Sequence, residues 1–253
     1  MSRMAGGAGE PSWGTRGDTT PNAHTTGAGA HLAPATRADL TGLPIEVAPR
    51  LLGGVLAVDT GGVTVAVRLT EVEAYHGAGT GPVPDPGSHA RRGPTARNAT
   101  MWGEPGHLYV YLSHGLHSCV NVVCGPAGVA GGILLRAGEV REGVDAAFSR
   151  RPAARTARDL ARGPGRLGAA VGLRHPVHDG IDAVSGEPCA GAVARLWLPP
   201  HPLPDISSGP RVGVAGVAGT AAFPWRFWVA GDPTVSPFRW GRGAEGAAIA
   251  VLD

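Results

Sequence analysis

Thr70-Glu71-Val72-Glu73-Ala74-Tyr75 closes an apolar alternating run over residues 63–69. In an extended strand, residues two apart share a face. Glu71, Glu73 and Tyr75 are therefore expected on one face, with the acids roughly 6.5–7 Å apart along the chain. A strand face with two acids and an aromatic is a poor core element. It suits either the solvent side of an edge strand, where charged residues mostly sit, or the wall of an active site.

Outward from this strand, Asp59-Thr60-Gly61-Gly62 between apolar runs 55–58 and 63–75 is a hairpin signal. Upstream, Pro44-Ile45-Glu46-Val47-Ala48-Pro49-Arg50-Leu51-Leu52 reads as a helix start that Pro49 limits to a first turn or forces to restart. Residues 1–36 carry almost no large apolar side chains and read as a disordered arm. Residues 37–253 follow as one domain.

Downstream, a loop over 77–87 leads to Ser88-His89-Ala90. Thr95 is placed to cap a short helix over 96–102. Strands are expected at 108–112, 116–124 and 132–137. One or two helices follow over 141–161, broken near Pro152, and Gly163-Pro164-Gly165 opens another over 167–171. Residues 194–198, 210–214 and 223–230 read as late strands. The sum is a mixed α/β domain, α+β in type, with mostly antiparallel connections.

Composition narrows the function classes. A hydrophobic share of 43% suffices for a core, and no apolar run approaches the ~18 residues that span a bilayer. The N-terminus lacks the layout of a secretory signal, so the cytosol is the expected location. Three cysteines are too few for a disulfide framework and fit a reducing compartment. A net charge of +2 declares no bulk attraction to nucleic acid, yet all 22 basic residues are arginine, the fork-shaped donor suited to phosphate. With no lysine side chain, a lysine Schiff base is excluded.

Several residue groups could carry chemistry. Tyr109 and Tyr111 share a strand face, in the core or in a site. Asn121 among valines needs hydrogen-bond partners. His114, His117, Cys119 and Cys124 match no standard zinc spacing, so no metal and no cofactor is expected. Ser88 beside His89 lacks the Gly-x-Ser-x-Gly turn of a hydrolase nucleophile. The Gly163-Pro164-Gly165 turn, with Arg162 and Arg166, is either a phosphate cradle or a plain helix entry.

In order, Glu71/Glu73/Tyr75, Ser88-His89-Ala90, Thr95-Ala96-Arg97-Asn98 with Met101, residues 106–111, His114-Gly115, Asn121, Leu134-Leu135-Arg136-Ala137 and Gly163-Pro164-Gly165-Arg166-Leu167 closely resemble the alkyladenine (3-methyladenine) DNA glycosylase family. Arg211-Val212-Gly213-Val214 and Arg226-Phe227-Trp228-Val229 match its closing strands. The resemblance implies a single domain with a curved, largely antiparallel sheet and surrounding helices, similar to the formyltransferase C-terminal-domain-like fold. It implies a monofunctional base-excision enzyme, monomeric and without a membrane partner, acting on double-stranded DNA with alkylated bases. Glu73 corresponds to the base that activates water, and Arg136 to the residue that fixes the water and the target nucleotide. Tyr75, His89 and Tyr111 correspond to the sandwich around a flipped base, and Asn121 to the purine screen. Arg97 and Arg166 would contact phosphate. His114 stands where the family commonly has an inserting tyrosine, and is smaller. Glu71 is expected to be a supporting acid.

Overall fold

The computed structural model describes residues 31–77 and 84–245. In chain order the elements are β1 (Ala33–Pro34), α1 (Pro44–Leu51), β2 (Val55–Thr60), β3 (Val63–His76), β4 (His107–Ser113), β5 (His117–Val123), β6 (Gly131–Glu142), α2 (Val144–Arg150), β7 (Ala161–Arg162), α3 (Pro164–Val171), β8 (Ile181–Asp182), β9 (Ala192–Leu198), β10 (Ile206–Gly209) and β11 (Arg226–Val229). All strand pairings among these elements are antiparallel, and the curved sheet runs β1-β9-β2-β3-β6-β5-β4-β8, with β10–β11 and β7 attached at its side. No helix among the described residues is long and apolar enough to cross a membrane.

The opening stretch is the middle of this sheet, which corrects the edge-strand reading. β3 keeps β6 on one side along most of its length. On its other side the first half pairs with β2 and Glu71–Glu73 pairs with β11. Register shifts against β6 fall between Leu69 and Val72, a bulge beside the acids. Glu71 and Glu73 are fully buried. The apolar residues that alternate with them, Val72 and Ala74, face the core.

Other expectations change at element ends. Helix α1 runs through Pro49 to Leu51 without restarting. The proline removes one backbone donor, while Val47, Ala48 and Leu51 are buried and Glu46 Oε2 accepts the Leu43 N–H at 3.0 Å. The helix expected from Arg141 starts only at Val144, because β6 continues to Glu142 along β3. Gly143 makes the turn with φ +70°, where a Cβ would stand 2.2 Å from the Thr64 carbonyl oxygen. Thr95 caps no helix: its N–H and hydroxyl both donate to Asn98 Oδ1, and only a 3₁₀ turn, Ala99–Trp102, forms. Residues 210–214 are loop, and the strand lies earlier, at Ile206–Gly209. Of the expected arm, residues 1–30 lie outside the described residues, and Ala33–Pro34 pairs with β9. The expected 77–87 loop is described only at residue 77 and from Pro84 onward.

Candidate functional site

Strand register builds the site. Glu73 on β3 pairs with Leu134 on β6, Leu134 with Asn121 on β5, and Asn121 with Tyr109 on β4. Cross-strand partners share a face. One row of side chains therefore crosses four adjacent strands, spanning about 14 Å at the usual strand spacing. Two residues along each strand, Tyr75, Arg136, Cys119 and Tyr111 join the same face. Above it lies a cavity of about 800 Å³ lined by Tyr75, His89, Met101, Tyr109, Tyr111, His114, Cys119, Asn121, Leu134 and Arg136, with Arg91, Arg151 and Arg166 at its rim.

Behind the cavity wall, and joined to it through Arg136 and Tyr75, lies a buried ion network; its acids, Glu71 and Glu73, are not among the lining residues. Arg136 donates from Nε to Glu71 Oε1 at 2.9 Å and from Nη1 to Glu73 Oε2 at 3.2 Å. Arg226 Nε donates to Glu71 Oε1 at 2.7 Å. Ser236 donates to the same carboxylate from its N–H at 2.7 Å and its hydroxyl at 3.0 Å. Burial alone would raise the Glu71 pKa, yet Arg136, Arg226 and Ser236 together hold it below the ordinary 4.5. Burial also works against the charge on Arg136, and Glu73 and Glu71 outweigh it, raising its pKa. Glu71 thus receives four donors, three on Oε1 and the Ser236 N–H on Oε2.

Glu73 receives three. Its Oε2 accepts from Arg136 and from the Tyr75 hydroxyl at 2.9 Å. Its Oε1 accepts only the Val212 N–H, at 2.6 Å. A carboxylate has about four acceptor positions, so one position on Oε1 remains for a further donor.

The aromatic part of the cavity wall is uncharged. Tyr109 and Tyr111 stack at 5.4 Å with an interplanar angle of 23°, and His89 meets Tyr111 edge-on at 4.8 Å. Burial, then Arg97 and Arg91, lower the His89 pKa and keep the imidazole uncharged at neutral pH. Burial raises the phenol of Tyr109 to about 12 and pushes those of Tyr75 and Tyr111 well up, so all three stay protonated. Burial likewise raises the Cys119 thiol. Ser88 is fully buried and its Oγ accepts the Ala90 N–H at 3.1 Å, a local turn that presents His89. Asn121 finds its expected partner, donating from Nδ2 to the Tyr109 carbonyl at 3.1 Å.

The turn before α3 also belongs to the cavity, through Gly163, Pro164, Gly165 and Arg166. Gly165 is required by close approach: a Cβ there would lie 2.7 Å from His117 Cβ. His114 tops the β4–β5 hairpin with φ +50°. Arg97 is exposed, outside the cavity lining, and its Nη2 donates to the Leu112 carbonyl at 3.2 Å. Among the described residues, no group of three or more His, Cys, Asp or Glu could hold a metal ion.

The sequence places Arg211 and Arg226 in the closing-strand motifs without assigning them a role, and gives no signal for Asp85 or Ser236. Arg211 is fully buried, lies 4.5 Å from the Tyr75 ring centroid, and forms a two-pronged pair with Asp85 at 2.8 Å on each prong. Asp85 also accepts the N–H groups of His76 and Gly87. This pair therefore ties the Tyr75 wall to the start of the segment carrying His89. An arginine among Phe227, Trp228 and Val229 signals a buried partner. The Val212 and Ser236 N–H groups leave no trace in side-chain identity.

Comparison with known proteins agrees with this geometry. The family model for methylpurine-DNA glycosylase matches residues 39–233. The chain is 51% identical over 199 residues to a protein of Leifsonia xyli subsp. xyli, covering 77% of this chain and 88% of that relative. It is 50% identical over 205 residues to one from Nocardia farcinica, covering 81% and 92%. It is 47% identical over 206 residues to one from Streptomyces avermitilis, again covering 81% and 92%. All three bear the provisional name 3-methyladenine DNA glycosylase.

Proposed function

The chain belongs to the methylpurine-DNA glycosylase family, and from that membership we propose that Glu73 activates the water that cuts an alkylated purine from DNA. The enzyme is a hydrolase of N-glycosyl bonds, of the DNA-3-methyladenine glycosylase type, and its role is base-excision repair. The observation that carries the catalytic reading is that Glu73 Oε1 accepts a single hydrogen bond, from the Val212 N–H, while Arg136 and Tyr75 hold the other oxygen.

The substrate base must first leave the duplex, which costs a few kcal/mol and least for a damaged base. It would stack between Tyr75 on one side and His89 with Tyr111 on the other. Neutral rings present π-faces that attract the positive charge of a base alkylated at N3 or N7. Asn121, its amide turned by the Tyr109 carbonyl, screens the purine edge. Water on Glu73 Oε1 attacks C1′ of the deoxyribose. The C1′–N bond breaks, its electron pair leaves with the purine, and the water proton passes to Glu73. The cationic purine departs neutral, so little further acid catalysis is needed. The buried carboxylate also offsets the oxocarbenium charge of the transition state.

Arg136, gripped by both acids, fixes Glu73 and the water. His114 at the hairpin tip enters the gap left by the base. Arg166 at the rim and Arg97 beside the hairpin contact phosphate. The chain acts as a monomer in the cytosol and uses water alone. With no lysine in the sequence, an abasic duplex left with the protein, without heat or alkali, stays intact.

The test is release of 3-methyladenine and 7-methylguanine from methylated DNA, with Glu73→Gln alongside. Release by wild type and loss in the variant supports the reading. Silence in both, with binding retained, would make the protein a damage-binding module instead.

A further inference from the structure

Across the hairpin tip from the base cavity lies a second groove, of about 730 Å³. Its lining includes Arg150, Arg174, His117 and His175, and no Asp or Glu. Arg150 donates to the Ala170 carbonyl and the Thr60 hydroxyl, at 3.1 and 2.6 Å. Its charge therefore has polar neighbours and no carboxylate among the described residues. Arg174 is exposed; its backbone N–H donates to His178 Nδ1 at 3.0 Å and its carbonyl accepts the His178 N–H at 2.9 Å, so its recorded bonds are through the backbone. The guanidinium remains available to a ligand. His175 bonds the Val110 carbonyl through Nδ1 at 2.8 Å, which leaves Nε2 as its second polar contact.

Two guanidiniums without a carboxylate make a concave surface that favours an anion, and a guanidinium fork matches phosphate. The position specifies the source. His117 and Gly165 line both the groove and the base cavity. Leu116, 77% exposed at the hairpin tip, lines the groove but not the base cavity. A strand with one nucleotide in the base cavity crosses Gly165 and His117 and reaches the groove within a short run of backbone.

We propose that this groove holds a backbone phosphodiester of the DNA strand flanking the nucleotide in the base cavity, with Arg174 as its principal contact. The proposal rests on the reading of the base cavity given above.

The test measures binding of wild type and Arg174→Gln to duplexes carrying a tetrahydrofuran abasic analogue, so that no turnover intervenes. In a series of duplexes, one flanking phosphate at a time is replaced by a neutral methylphosphonate. One position is expected to weaken wild-type binding by about 3- to 10-fold. Arg174→Gln should bind the unmodified duplex equally weakly and be indifferent to that same replacement. Its log affinity against log salt should also be shallower by about 0.9. If no position couples to residue 174, the groove does not hold the backbone. If inorganic phosphate binds the groove through Arg174 while duplex affinity ignores the variant, the site takes a free anion and the proposal fails. If wild type binds no duplex, the glycosylase reading falls with it. Thermal melting confirms that the variant at this exposed position is folded.

Discussion

Glu71→Gln separates the two buried acids. Glu71 is fully buried and receives donors from Arg136, Arg226 and twice from Ser236. In the wild type, two guanidiniums (Arg136, Arg226) face two carboxylates (Glu71, Glu73), a balanced set. Glutamine leaves that set with one uncompensated positive charge and turns an amide NH₂ toward groups that are themselves donors. Removing one partner of a buried ion pair costs about 3–5 kcal/mol. At about 2–4 °C per kcal/mol for a chain of this size, the melting temperature should fall by roughly 6–20 °C. The pH dependence carries a sign. Glu71 is held below the unfolded value of 4.5, so its contribution is complete above that pH and is lost as pH falls through the lower folded value. The gap between wild type and variant should therefore be full at neutral pH and close under acid. Thermal unfolding by circular dichroism, from neutral pH down through 4.5, reads both. A variant that melts at the wild-type temperature, or a gap that widens under acid, refutes the network as described.

Three further outcomes follow from single contacts. Gly165→Ala places a Cβ 2.7 Å from His117 Cβ and should cost about 1–3 kcal/mol by forcing α3 from β5, read by chemical denaturation. His89 has a folded pKa below 6.5, so stability should drop as pH falls from 6.5 toward that lower value, and His89→Gln should flatten this part of the profile. Tyr75→Phe keeps the ring wall but removes the hydroxyl donor to Glu73. A loss of about 0.5–1.5 kcal/mol in stability is expected, with a measurable drop in the single-turnover rate of base release.

The sequence was most informative where side chains repeat every second residue. Glu71, Glu73 and Tyr75 do point the same way along β3, as do Tyr109 and Tyr111 along β4, because a strand imposes that alternation whatever surrounds it. Burial was not legible from the stretch alone. Two acids on a strand face suit solvent until a partner is known, and their arginine and serine partners sit 63 to 165 residues away. The ordered motif set supplied what alternation lacked. Misplaced boundaries have local causes: β6 outruns its apolar pattern because pairing with β3 continues through Glu139 and Glu142. Residues 210–214 carry a strand-like composition, yet they turn inward to deliver the Val212 N–H to Glu73 and the Arg211 guanidinium to Asp85.

Midway along β3 the strand exchanges one neighbour for another. Its first half is zipped to β2, the adjacent hairpin arm, and can pair as soon as both are synthesised. Its second half waits for Arg226 and Ser236. Pairings of such long sequence separation form slowly. Until they form, Glu71 lacks the donors that make its burial tolerable, and the sheet cannot close over it. The face that carries Glu71 and Glu73 is therefore expected to close late in folding. The buried acid thus ties completion of the sheet to the arrival of Arg226 and Ser236.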